Sequence, residues 1–119
     1  MKIIKDIKEI LPEVFHIQLL GDVDYVSYPE LKKMFSKLIS AGHYKLIIDF
    51  TYATHIDSSG LGAVTSAHIK ANSHGGKILL VNNHKEINKI FDITGLSKVI
   101  SIYPDIETAL GNMNEELNS

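Results

Sequence analysis

Two short runs without a polar residue constrain this chain more than any other feature: Leu46-Ile47-Ile48, within residues 45–50, and Ile78-Leu79-Leu80-Val81, within residues 77–81. Runs this short and this apolar suit strands covered on both faces, and such strands belong to a parallel sheet with helices packed against it. The stretch between them, Ser58 to His74, has helical length, and Gly75-Gly76 offers the left-handed residue that stops a helix.

The remaining elements follow from spacing. Phe15, Ile17 and Leu19 alternate with His16 and Gln18, so residues 14–20 read as a half-buried strand. Residues 3–10 are apolar but irregular and studded with Lys and Asp, which suits an edge strand joined to the next by the breaker Leu11-Pro12-Glu13. From Pro29, Leu31, Met34, Phe35, Leu38 and Ile39 make one helical stripe, with Ser27 as its cap and Gly42 as its end. A third helix is expected over Lys85 to Ile93, with Ile87, Ile90 and Phe91 inward and Gly95 after it. A short strand follows at Val99 to Ile102. A last helix from Pro104 buries Ile106, Ala109, Leu110, Met113 and Leu117, and the polar tail Asn114 to Ser119 frays. The order implies an α/β fold: a mixed sheet with a parallel core, an antiparallel edge strand and about four helices, forming a single domain over residues 1–119.

Composition narrows the function. Twelve Lys and Arg against 14 Asp and Glu leave a formal charge of −2, which gives nucleic acid or anionic lipid no basic patch to bind. No apolar run is long enough for membrane insertion, and the opening MKIIKDIKEI carries charges where a signal peptide needs an apolar core, so a cytoplasmic protein is expected. The absence of cysteine removes disulfides, thiolate metal sites and cysteine nucleophiles. The six histidines contain no i, i+4 pair, so neither a metal nor another cofactor is expected. His68 shares a stripe with Leu61 and Val64 and reads as a half-buried structural residue, and His55 as a packing residue.

Ligands and partners of such sheets meet the loops at the carboxyl ends of the parallel strands. Three loops qualify: Gly21-Asp22-Val23-Asp24, the segment from Thr54 to Gly62, and Asn82-Asn83. Within the second, Asp57-Ser58-Ser59-Gly60-Leu61-Gly62 opens a helix with two hydroxyls and two glycines. Glycine costs helix stability and is tolerated where another backbone or a partner approaches closely. Asp57 is placed to be the N-cap.

That segment resembles the DSSGLG phosphorylation motif of STAS domains, in particular the bacterial anti-sigma factor antagonists. Gly21-Asp22-Val23-Asp24 is similar to the family's G-E-L-D turn, and Phe91-Asp92-Ile93-Thr94-Gly95-Leu96 to its F-D-x-T/S-G-L helix ending. The resemblance covers nearly the whole chain. It implies a binding switch rather than an enzyme. The unphosphorylated form binds an anti-sigma factor that is also a serine kinase, phosphorylation releases it, and a PP2C-type phosphatase restores it. By the same resemblance Ser58 is the phosphoacceptor, and Asp22, Asp24, Asp57, Ser59, Gly60 and Gly62 form the partner surface. The sequence departs from the family pattern in Asp22-Val23, where Glu-Leu is commoner, and in His55, where a hydrophobic or aromatic residue is usual.

Other chemistries fit less well. A hydrolase would need a G-x-S-x-G elbow around Ser58, which the loop lacks, and a His–acid pair, which spacing does not place. An aspartyl phosphoreceiver could use Asp22, Asp24 and Asp57, but no suitably placed Lys follows a later strand. The rival within the family is a STAS subunit of a lipid-transporter or stress-sensing complex that does not act on a sigma factor.

Overall fold

The structure, a computed structural model, describes the backbone of residues 2–118 and the side chains of residues 2–113. Five strands, β1 (Ile4–Leu11), β2 (Val14–Val23), β3 (Lys45–Ile56), β4 (Lys77–Val81) and β5 (Ile102–Tyr103), lie side by side in chain order. β1 and β2 are antiparallel, while β2, β3, β4 and β5 run parallel. The helices are α1 (Tyr28–Ser40), α2 (Ser58–Ser73), α3 (Lys85–Ile93) and α4 (Ile106–Asn118), with a 3-10 turn at Leu96–Lys98 before β5. This is the mixed sheet and helix count that the spacing implies.

The two apolar runs are buried on both faces. Leu46, Ile48, Phe50, Ile78 and Leu80 point into a core closed by α1, α2 and α3, where Phe50 meets Phe91 edge-on at 5.4 Å. Ile47, Leu79 and Val81 face the other way and, with Val14, pack under Ala109 and Met113 of α4. α2 lies close to the sheet because its inner face is Gly60, Ala63, Val64, Ala67 and Ala71. Small side chains let the helix axis approach.

Five details differ from the sequence reading. β2 runs on to Val23 and β3 to Ile56, because Gly21, Asp22 and Val23 pair with Ala53, His55 and Ile56 across two register shifts; Asp22, Thr54 and His55 are strand residues rather than loop residues. Beyond Asp49, which faces Val81, β3 pairs among the described residues with β2 alone, so their carboxyl ends extend past the rest of the parallel sheet. β5 is Ile102–Tyr103 and not residues 99–102, since Gly95 (φ 82°) turns the chain into a 3-10 turn whose end leaves Val99 exposed and Ile100 buried. α4 starts at Ile106, where Asp105 receives the Thr108 N–H at 2.8 Å and supplies a cap that the sequence reading had not used. The tail expected to fray continues as helix to Asn118; the side chain of Leu117 and residue 119 lie outside the described residues.

One buried acid lies within the sheet. Asp49, 4% exposed, receives the Thr51 N–H at 2.9 Å and the Thr51 hydroxyl, and its other oxygen is 2.8 Å from His16 Nε2. Burial works to raise its pKa, but the bonds from His16 and Thr51 outweigh it and hold the carboxyl below its ordinary value.

Candidate functional site

At the carboxyl ends of β2 and β3 the chain builds two helix starts side by side. In the first, β2 ends at Val23 and turns through Asp24 into α1. Asp24 Oδ1 accepts the backbone N–H groups of Val26 (3.0 Å) and Ser27 (3.1 Å), an Asx-type turn. Ser27 occupies the N-cap position, as its spacing implies, but its side chain does not cap α1. Its hydroxyl donates back to the Asp22 carbonyl (2.9 Å) and accepts the Asp24 N–H (2.9 Å), so it closes the turn instead.

The second start is held by Asp57. Its backbone is extended (φ −119°, ψ −174°), and its Oδ1 accepts the N–H groups of Ser59 (2.9 Å) and Gly60 (3.1 Å), as an N-cap does. The same side chain reaches across to the first turn, where Oδ2 accepts the Tyr25 N–H at 3.3 Å. The Asp57 N–H in turn donates to the Val23 carbonyl at 3.1 Å. Asp57 therefore fastens the two helix starts together.

Asp22, Asp24, Asp57, Ser58, Ser59, Gly60 and Gly62 thus lie at one end of the molecule, but not in equivalent settings. Ser58 is exposed at the first position of α2, and among the described residues its hydroxyl has no hydrogen-bond partner. Ser59 is half-buried. Asp22 is exposed and accepts the Thr54 hydroxyl at 2.7 Å, while Asp24 is partly withdrawn into its own turn.

The two glycines part company here. Gly60 is buried: a Cβ there would collide with the Val23 carbonyl oxygen and sit 2.7 Å from Val23 Cγ1. This glycine lets α2 close on β2, so its place in the expected partner surface gives way to a packing role. Gly62 is exposed, and a Cβ on it would meet nothing within 4 Å. The packing of this chain gives no reason for glycine at that position.

Tyr25 and Val26, 72% and 71% exposed, stand at the tip of the first turn, beside the acidic residues singled out from the sequence. In the sequence they form a Tyr-Val pair between Asp24 and Ser27, apolar where a turn is usually polar. His55 is exposed on β3 opposite Asp22, so it is not a packing residue. His68 is half-buried as expected, with Nε2 3.0 Å from the Asn72 amide nitrogen; burial, and then the charge of Lys77, push its pKa down. Beside α2 a shallow apolar groove of about 550 Å³ runs from Leu61 and Gly62 past Ile69 to Leu96 and Val99.

The sheet thus carries a capped Asp-Ser-Ser-Gly-Leu-Gly turn beside an acidic turn, with the Ser58 hydroxyl exposed. The STAS domain family model matches residues 7–109, and the chain belongs to that family. It is 29% identical over 102 residues to the anti-sigma-B factor antagonist of Bacillus subtilis, covering 86% of this chain and 92% of that one. Its fold is shared with an anti-sigma factor antagonist from Mycobacterium paratuberculosis (TM-score 0.83, 21% identity, 92% of both chains). It is also shared with the Bacillus cell fate determinant SpoIIAA in its phosphorylated form (TM-score 0.71, 23% identity, 90% of this chain and 96% of that one).

Proposed function

We propose that this chain is an anti-sigma factor antagonist, a binding protein and not an enzyme, whose grip on an anti-sigma factor with serine kinase activity is released when Ser58 is phosphorylated. A PP2C-type phosphatase returns it to the binding form. The observation that carries the reading is the unengaged, exposed Ser58 hydroxyl at the start of a helix already capped by its neighbour. The names of its relatives, and a solved relative in a phosphorylated form, support it.

The physics is local. A phosphate on Ser58 adds about −1.5 to −2 charges at a helix N-terminus, where the helix dipole tolerates an anion, so the fold is kept. A partner seated on this turn would instead face a bulky dianion beside the Asp57 carboxylate. Crowding of like charges and desolvation there cost about 2–5 kcal/mol, by analogy with buried interfacial charges. A penalty of that size reverses a micromolar interaction. The docking surface comprises Asp22, the exposed Tyr25-Val26 tip, Ser58 and Gly62, with Asp24 and Asp57 holding its shape. The same reading locates the chain in the cytoplasm; among the described residues no helix is long and apolar enough to cross a membrane.

Calorimetric titration against the kinase partner tests it, with circular dichroism to confirm folding. Wild type and Ser58→Ala should bind alike, Ser58→Asp should bind far more weakly, and Gly62→Arg should block docking without any phosphate. Peptide mapping after incubation with kinase and ATP should place the phosphate on Ser58 and not Ser59. Equal affinity for wild type, Ser58→Asp and Gly62→Arg would show that the partner binds elsewhere.

A further inference from the structure

Among the described residues β1 is an edge strand with β2 as its only neighbour in the sheet, and residues 5–9 along it are exposed. An edge strand carries a row of unpaired backbone donors and acceptors, and charges on it ordinarily discourage another chain from pairing there. The charges here have an unusual order. The segment Ile4-Lys5-Asp6-Ile7-Lys8-Glu9-Ile10 reads as its own complement when it is run antiparallel about Ile7: Ile4 falls opposite Ile10, Lys5 opposite Glu9, Asp6 opposite Lys8, and Ile7 opposite itself.

We infer that β1 pairs with β1 of a second copy of this chain, antiparallel and centred on Ile7, so that the two five-stranded sheets join into one. A two-fold axis perpendicular to the sheet at Ile7 produces this pairing and keeps each protomer's α1 on the same face, as an isologous interface requires. The geometry of the free strand suits it. Asp6 and Lys8 pair with Gln18 and His16 of β2, two residues apart on one face, and their charged groups are 3.9 Å apart with 47% and 67% of each side chain exposed. Across the axis each would meet its opposite from the other protomer, which closes a square of four alternating charges. Ile7, 38% exposed, lies on the other face and meets its own copy. There it continues a shallow groove shared with Ile4, Met34 and Leu38, which the second protomer would cover.

Charge also selects the register. Shifting the centre to Asp6 puts Asp6 opposite Asp6, and shifting it to Lys8 puts Lys8 opposite Lys8; like charges directly opposed destabilise a strand pair. Among these three centres, which all preserve the faces of the sheet, only that on Ile7 opposes unlike charges. The regular part of β1 between its two irregularities, Asp6 to Glu9, includes the centre and the charged pair. The site around Ser58 is built from β2, β3, α1 and α2, so this contact is independent of the proposed switch.

The test is sedimentation equilibrium of the full chain, from micromolar to millimolar concentration, with charge-swap variants at exposed positions. Wild type should dimerise with rising concentration. Asp6→Lys and Lys8→Asp should each weaken dimerisation about tenfold, because each opposes like charges twice. An equimolar mixture of the two variants should regain the wild-type affinity, since one protomer then presents two cations and the other two anions. Circular dichroism would confirm that each variant is folded. A wild type that stays monomeric at millimolar concentration, single variants that dimerise as wild type does, or a mixture no tighter than its components would overturn the inference.

Discussion

Two serines, Ser27 and Ser58, stand at two adjacent helix starts, each close to an aspartate, and the structure uses them in opposite ways. Ser27 is spent inside its turn: its hydroxyl bridges the Asp22 carbonyl and the Asp24 N–H. Ser58 is left out: Asp57 accepts the Ser59 and Gly60 N–H groups of α2, and among the described residues the Ser58 hydroxyl has no hydrogen-bond partner. A hydroxyl that holds a turn cannot be modified without loosening it. A hydroxyl whose neighbour does the capping can take a phosphate and leave the fold intact, which is what a reversible switch demands.

The largest effect that would sharpen this contrast lies one turn into α2. Gly60→Ala should lose about 2–3 kcal/mol in urea unfolding, since its Cβ collides with Val23 and α2 must shift off β2. Gly62→Ala should be neutral or up to about 1 kcal/mol more stable, as an open helical glycine replaced by alanine. Similar losses at both positions would break the distinction between an internal and an external glycine.

Next comes the serine pair itself. Ser27→Ala should cost about 1–2 kcal/mol by leaving partly buried groups of the turn unpaired. Ser58→Ala should stay within about 0.5 kcal/mol of wild type. A Ser58→Ala protein as unstable as Ser27→Ala would mean that Ser58 is also structural.

Asp57→Ala should cost about 1 kcal/mol, the usual worth of an N-cap. It should also speed amide exchange at Tyr25, whose N–H is held by the same carboxylate. Exchange unchanged at Tyr25 would show that the two helix starts are not coupled through Asp57.

The last effect, read on the acid side of the stability curve, concerns Asp49, away from both turns. Its folded pKa lies below the ordinary 3.8, so its stabilisation is complete above that value and is lost as the pH falls through the lower folded one. Asp49→Asn should flatten the acid limb of the stability curve while leaving Ser58 chemistry unchanged. An unaltered acid limb would mean that other carboxylates dominate acid unfolding.

Much of this was legible along the chain. The runs at 46–48 and 78–81 declared two doubly covered strands, α3 fell on the residues its stripe marks, and Asp57 capped α2 as a lone aspartate before Ser-Ser-Gly should. These features are local: periodicity states which face is buried, and a cap needs only the next three residues. Tertiary structure alone decided that β2 and β3 extend to Val23 and Ile56, because their outer residues are polar enough to read as loop until each finds its partner across the ladder. It also decided the roles of Ser27, Gly60, Gly62 and the Tyr25-Val26 tip. Gly60 meets Val23 of β2, and contacts such as the Thr54 hydroxyl on Asp22 or the Tyr25 N–H on Asp57 join residues 32 apart. Helical and strand periods carry no information about such pairs, since the distance between them is set by how the sheet aligns its strands.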